Sequence, residues 1–392
     1  MSRILTTHVG SLPRPHALLD AMKAKLAGNT PPDYESRVRG AVAECVRKQV
    51  EVGVDIVSDG EQSKPGFFAY VQERLGGFEA RPDKKVEIFP AEVRAFPEYY
   101  EQYFKEAMLG GAVARFAPLV CTGPVSYRTL EPLQSDIDNL KKAMAAAKGR
   151  AAFMSAIAPS GVGSNVYYKS DEEYLHAVGA AMRTEYRAIS DAGLLLQIDD
   201  PFLCDVLVDP RLEPKERRRL ASLHVEIVNE SVKGIPEDRI RFHTCYGINE
   251  GPRIHEAPMS EVARYMLKIK AGAYSFENAN VRHEHEYHIW DEIKLPDGKK
   301  LIPGMLLHAC NIVEHPELIA ERLVRFAERV GRDNVIAGTD CGFSSQASYR
   351  TEVHPTVVWA KFQALSEGAR LASRRLWRAK RTVKRKAKRP SA

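Results

Sequence analysis

The chain is poor in the features that would place it outside the ordinary globular class. None of its apolar stretches approaches the roughly 18 consecutive residues that a membrane span needs. The opening residues, MSRILTTHVGSLPRP, hold no apolar run of signal-peptide length. Both absences lead to the expectation of a soluble, cytoplasmic protein. Cysteine is scarce: Cys45, Cys121, Cys204, Cys245, Cys310 and Cys341 are too few to build a disulfide scaffold in 392 residues. That leaves core thiols, metal ligands or nucleophiles as their roles. A glycine-rich phosphate loop is missing. Ser160-Gly161-Val162-Gly163-Ser164 matches neither a Walker motif nor a dinucleotide fingerprint, and reads as a flexible lip beside a strand. No Pro/Gly/Ser-rich linker or tandem repeat divides the chain. With 44% hydrophobic and 28% charged residues, collagen, a coiled-coil rod and disorder throughout are excluded.

The net charge of +6 is local. Residues 374–389 hold ten Lys/Arg and no acid; without them 47 basic residues face 51 acidic ones, a net of −4. A like-charge block of this kind is solvated, so 374–392 is expected to be a disordered basic tail. Its alternative use is a weak contact with nucleic acid or acidic lipid.

Apolar runs recur at Ile4–Thr7, Asp55–Ser58, Ala117–Cys121, Ala152–Ala158, Leu194–Ile198, Ile240–Cys245, Ala273–Glu277, Leu301–Leu307 and Val335–Ala337. Helix-like segments separate many of them, as in 34–51, 133–147, 171–192, 214–232, 258–270 and 316–330. Alternation of this kind specifies a parallel α/β sheet, and about eight units specify a closed (β/α)8 TIM-type barrel. Nine candidates leave one as an extra strand or a loop. The expected organisation is one barrel over 1–373, with an insertion at about 75–115 that includes a short hairpin or flap in KKVEIFPAEVRAF.

Polar residues gather where these strands end: Ser58-Asp59-Gly60-Glu61, Gln197-Ile198-Asp199-Asp200, His243-Thr244-Cys245, Phe276-Glu277-Asn278 and Thr339-Asp340-Cys341. In a barrel all strand C-termini converge on one face, which carries the chemistry. His243 and Cys245 lie two apart in a strand and share a face. Cys341 and Glu277 would arrive from other strands. One imidazole, two thiolates and a carboxylate suit tetrahedral Zn2+. Such a site sums to −1, too electron-rich to polarise a carbonyl well, yet able to ionise an incoming thiol. It fits thiol alkylation better than hydrolysis. The same residues also read as core cysteines and a core histidine. The run His283-Glu284-His285-Glu286-Tyr287-His288 offers a second metal site or a hydrogen-bonded loop. Cys45 shares an apolar helical face with Val42, Val46 and Val50 and reads as core.

RFHTCYG, SFENAN and AGTDCGF, in that order, resemble the zinc motifs of the cobalamin-independent methionine synthase family, in its C-terminal catalytic barrel. TTHVGSLPRP, VSDGEQ and LLLQIDDPFL agree in order as well, extending the resemblance from Thr6 to Phe343. The resemblance implies a (β/α)8 barrel. It assigns His243, Cys245 and Cys341 as zinc ligands and Glu277 as a carboxylate ligand, one that an incoming thiol displaces. It places Val9, Gly10 and Ser11 in a loop holding an amino-acid substrate, Glu61 and Asp199 on its ammonium group, and His308 as proton donor. It does not extend to the second, N-terminal barrel of full-length members, which helps bind a folate polyglutamate. The donor is therefore a methylated folate, a methyl-corrinoid carrier or another small molecule. NVRHEHE and NEGPR also resemble single-barrel relatives, including epoxyalkane:coenzyme M transferases. The leading expectation is zinc-dependent methyl transfer to a thiol, homocysteine giving methionine. The alternatives are opening of an epoxide by coenzyme M or a similar thiol, and a non-catalytic zinc barrel that binds RNA or membrane through its basic tail.

Overall fold

The computed structural model describes residues 3–67, 69–84, 87–108, 111–114, 117–247 and 250–386. Among the described residues eleven strands occur in the order β1 (Leu5–Thr6), β2 (Ile56–Val57), β3 (Leu75–Ala80), β4 (Leu119–Tyr127), β5 (Ala151–Ile157), β6 (Ser164–Asn165), β7 (Leu195–Asp199), β8 (Ile240–His243), β9 (Ala273–Phe276), β10 (Lys300–Pro303) and β11 (Ile336–Ala337). Six of them pair in the order β2-β5-β7-β8-β9-β10, and β1 pairs with β11, all in parallel. Two further contacts close the ring. Parallel bridges Leu301–Val335 and Gly304–Gly338 join β10 to the β11 segment. On the other side Asp55 donates its N–H to the Thr6 carbonyl at 3.1 Å, joining β1 to the start of β2. Eight parallel strands thus form a TIM-type barrel.

Of the nine apolar runs, Ala117–Cys121 is the extra one. It leads into β4, which pairs antiparallel with β3 and parallel with β6 in a separate three-stranded sheet. The insertion continues through helices Pro90–Ala95 and Pro97–Tyr103. The segment expected to make a hairpin therefore holds a helix, because Pro90 occupies the first helical turn, where its missing N–H is no loss. Lys85 and Val86 of that segment lie outside the described residues.

Local sequence explains the rest of the frame. β5 reads AAFMSAI and is buried along almost its whole length, the continuous apolar pattern of a strand covered on both faces. Helix Asp171–Asp191 begins with a capping box: the Ser170 hydroxyl accepts from the Glu173 N–H at 3.1 Å, and Glu173 reaches back to the Lys169 N–H. Ile56, Phe153, Ile302 and Ile336, from four strands, form an apolar plug inside the barrel. Above it Arg241 stacks on the Phe153 ring at 3.9 Å. Its guanidinium donates to the Thr7 hydroxyl (2.8 Å) and the His8 carbonyl (2.7 Å). The barrel interior is thus filled by side chains, and the site lies at the C-terminal ends of the strands.

The last helix, Pro355–Lys386, runs through residue 374, where the tail is expected to begin. Arg332 lies over the Trp377 ring at 4.7 Å and bonds the Leu376 carbonyl, so the helix is seated at least that far. The expectation for 387–392 lies outside the described residues. Among the described residues no helix is long and apolar enough to cross a membrane.

Candidate metal and thiol site

His243 ends β8, Cys245 follows two residues later, and Cys341 follows β11. One ligand atom from each lies within 4.8 Å of the others, and the two sulfurs are 3.5 Å apart. All three residues are buried. The His243 ring is oriented from behind by the Ser275 hydroxyl, 3.1 Å from Nδ1, while Nε2 is buried without a partner. A buried ring nitrogen left unbonded costs free energy unless something ligates it. The Cys245 thiol is pushed well up, first by its contact with Cys341 and then by burial. Two such thiols ionise together only with a cation between them.

The structure places Glu277 beside this trio, not within it. Its Oε1 accepts from the Tyr246 N–H at 3.1 Å. Its Oε2 accepts from Arg253 (2.6 Å) and Asn280 (2.9 Å). Glu277 belongs instead to a second cluster, with His308 and Asp340. Asp340 caps the turn after β9, accepting from the N–H groups of Asn278 and Ala279 at 2.8 and 2.7 Å. Both ring nitrogens of His308 are buried and lack partners. Burial, and then the positive charge of Arg253, lowers its pKa to about 3, so the ring is neutral.

The two acids expected to meet an ammonium group stand together. Glu61 follows β2 in a left-handed backbone conformation (φ 56°), a strained state for a residue with a side chain. Its Oε1 accepts from the Ser155 hydroxyl at 3.0 Å, and Oε2 is buried without a partner. Asp199 ends β7; burial, then the charge of Glu61, pushes its carboxyl well above the usual range. Gln197 donates to Asp199 at 2.7 Å and to the Val9 carbonyl, tying the segment Val9-Gly10-Ser11 to β7. Gly10 has φ 147°, and a Cβ there would sit 2.8 Å from both Glu61 Oε1 and Ser155 Oγ. Only glycine lets the loop pass that close.

A cavity of about 640 Å³ unites the His/Cys/Cys trio with the two acids, while Glu277 and His308 are not among its lining residues. Val9, Ser11, Glu61, Asp199, His243, Cys245 and Cys341 all line it. Ser160, Gly161, Gly163 and Ser164 form part of its rim, as do Ile88, Phe89 and Pro90 of the insertion. A family model described as cobalamin-independent synthase, catalytic domain, matches residues 4–361. The chain belongs to the cobalamin-independent methionine synthase family. It is 24% identical over 340 residues to a methionine synthase of Sulfolobus acidocaldarius, covering 86% of this chain and 85% of that one. It is 22% identical over 380 residues to one of Saccharolobus solfataricus, covering 95% and 96%. Its fold is shared by a B12-independent methionine synthase of Shewanella sp. W3-18-1 solved with selenomethionine (TM-score 0.71, 20% identity, 96% and 100% covered). A second shared structure, from Listeria monocytogenes, has a TM-score of 0.65 at 19% identity, with 94% and 98% covered. This is a methyltransferase family.

Within that family frame, sequence reasoning missed Ser155, Gln197 as a side-chain tie, and Arg253. Ser155 sits in an apolar strand with no local pattern to mark it; Arg253 closes the NEGPR motif, which carried a resemblance but no role for the arginine. The HEHEYH run resolves as hydrogen-bonded. His283 Nδ1 is 2.6 Å from Glu286, and Nε2 is 2.9 Å from Glu256. Cys45 is buried in the core, 3.3 Å from the Gln49 amide.

Proposed function

We propose that the protein transfers a methyl group to the sulfur of homocysteine, giving methionine, at a zinc ion held by His243, Cys245 and Cys341. The observation that carries this reading is the shared cavity: a His/Cys/Cys cluster with an unbonded imidazole nitrogen on one side, two crowded carboxylates on the other. A thiol that also bears an ammonium group meets both. The donor set of one nitrogen and two sulfurs fits zinc and leaves a position for substrate. Zinc bound there supplies a centre at which a thiol ionises near neutral pH while its sulfur stays nucleophilic. The relative solved with selenomethionine, an analogue of the product, supports the same class of ligand.

The chain's own residues divide the remaining work. Glu61 and Asp199 hold the ammonium group, with charge-assisted hydrogen bonds as the strong contacts. Val9, Gly10 and Ser11 bound the space beside them. His308 is the candidate proton donor to the leaving group; burial makes its neutral ring a poor base, so the proton that the thiol releases goes to solvent. The reaction then balances: the S–H proton is lost to solvent, the S–CH3 bond forms as the donor's bond to the methyl group breaks, and the departing atom takes up a proton. For a methylated folate the proton is needed, since an amine anion is a very poor leaving group.

Zinc X-ray absorption on purified protein tests the reading, with homocysteine and coenzyme M as added thiols. The expected shell holds two sulfurs plus nitrogen or oxygen, and gains a third sulfur with homocysteine. A shell that changes only with coenzyme M transfers the assignment to an epoxide-opening alkyltransferase. An unchanged shell, or no bound zinc, overturns it.

A further inference from the structure

Glu277 is held in a way that the reaction scheme leaves unexplained. Ser275 lies opposite His243 in the β8–β9 register, so the next same-face residues along the two segments are Glu277 and Cys245. The carboxylate thus starts beside the thiol cluster, yet both its oxygens are taken by Tyr246, Arg253 and Asn280. Arg253 is itself buried and adopts a left-handed backbone (φ 57°). Its Nε meets Glu256, Glu256 meets His283 at 2.9 Å, and His283 meets Glu286 at 2.6 Å. The result is a buried line of alternating charge: Glu277, Arg253, Glu256, His283, Glu286. The most exposed side chain in the line is only 11% accessible. The line also returns to the site, because the His283 ring stacks on Tyr246 (centroids 4.3 Å apart, planes 7° apart), the residue after Cys245.

We propose that Arg253 is a positioning residue that receives the Glu277 carboxylate when the acceptor thiol takes its place at the His243–Cys245–Cys341 cluster. The inference rests on the zinc–thiol reading above. A carboxylate that leaves a dication in a buried site needs another cation, or it is left as an unpaired buried charge. Arg253 supplies that cation in a fixed orientation. Glu256, itself held by the stacked His283, fixes the guanidinium against Glu277. The arrangement seen here is the one with Glu277 received. The role explains why a strained backbone and five buried charged groups sit behind a three-ligand cluster, and what the HEHEYH run contributes.

The test compares full-length wild type with Arg253→Gln, Arg253→Lys and Glu256→Gln. Each is loaded with Co2+ and read by visible absorption and by calorimetric titration with homocysteine. Arg253→Gln leaves Glu277 without a receiver. Its thiol-free spectrum is expected to shift towards added oxygen ligation, and its homocysteine Kd and KM to rise about tenfold at unchanged metal content. Arg253→Lys is expected to recover part of the affinity. Glu256→Gln frees Arg253 to hold Glu277 more strongly, so its homocysteine Kd should fall. General loosening of the site would weaken binding in both Gln variants, so a rise in Kd for Glu256→Gln overturns the proposal. So does wild-type affinity in Arg253→Gln. Wild-type protein that binds neither Co2+ nor homocysteine marks the separate failure of the zinc–thiol reading.

Discussion

Replacing Glu61 with glutamine keeps the shape of the side chain and removes its charge. In the wild-type site Oε1 is fixed by Ser155 at 3.0 Å and Oε2 is buried and unbonded. An ammonium group there gains a hydrogen bond to a charged acceptor, worth about 1.5–3 kcal/mol. Glu61→Gln should therefore raise the Kd for homocysteine roughly 10- to 150-fold. The same change should stabilise the ligand-free protein, because the charge that disfavours ionised Asp199 is gone. That gain is the trade of stability for function that strained sites show. Calorimetric titration of zinc-loaded protein with homocysteine and with 3-mercaptopropionate separates the contributions. Both thiols can meet the metal, but only homocysteine carries the ammonium group. The variant should lose affinity for homocysteine alone, and its thermal midpoint should rise. Equal losses with both thiols, or an unchanged homocysteine Kd, would refute the assignment of Glu61 to the ammonium group.

Three further outcomes are expected. Cys341→Ser should lose zinc on gel filtration, as measured by elemental analysis, with an unchanged far-UV spectrum; collapse of the spectrum would make the cluster structural. His283, raised from 6.5 to about 9 by Glu256 and Glu286 against the cost of burial, is protonated preferentially in the folded state. Its contribution, about 3 kcal/mol, is complete below about pH 6.5 and lost as pH rises to about 9. His283→Gln should flatten that limb of a denaturant-melt pH series, and identical pH dependence in the two proteins would refute it. Gly10→Ala places a methyl 2.8 Å from Glu61 and Ser155, so KM for homocysteine should rise while zinc content stays unchanged. An unaltered KM would show that the loop does not bound the thiol substrate.

The barrel was legible because its strands are covered on both faces and therefore read as short apolar runs between helices. That signal reports burial and not partnership. Ala117–Cys121 carried it too, and the chain spends it on β4 in a separate sheet. The His243–Cys245 pair was legible from strand alternation alone. Cys341 lies 96 residues further on, and only the AGTDCGF motif connected it to the pair. Arg253 was visible only as the last residue of NEGPR, with nothing to connect it to Glu277. It is 24 residues from Glu277, in a loop, and its backbone angle has no residue-type marker. The charges of the HEHEYH run were visible. What divides them was not, since Glu256 comes from 27 residues away to occupy one nitrogen of His283.

The choice between an amino thiol and a sulfonate thiol turns on the charge that the cavity already holds. Two fixed cations stand near Asp199, Lys64 and Arg241, and both favour its ionised form. Neither is free. Lys64 donates to the Ser155 carbonyl at 2.6 Å, and Arg241 spends two of its nitrogens on Thr7 and His8. Burial and the neighbouring Glu61 still win, and the Asp199 carboxyl remains well above its usual range. A sulfonate brought to this pair would add negative charge beside an acid whose ionisation burial and Glu61 already disfavour, and the cost rises steeply in a buried site. An ammonium group would instead favour the ionised form of Asp199 and donate a hydrogen bond to each carboxylate. In titration calorimetry of zinc-loaded protein, homocysteine should therefore bind more tightly than coenzyme M. Coenzyme M binding that is tighter than that of homocysteine would reverse the order of the two substrates.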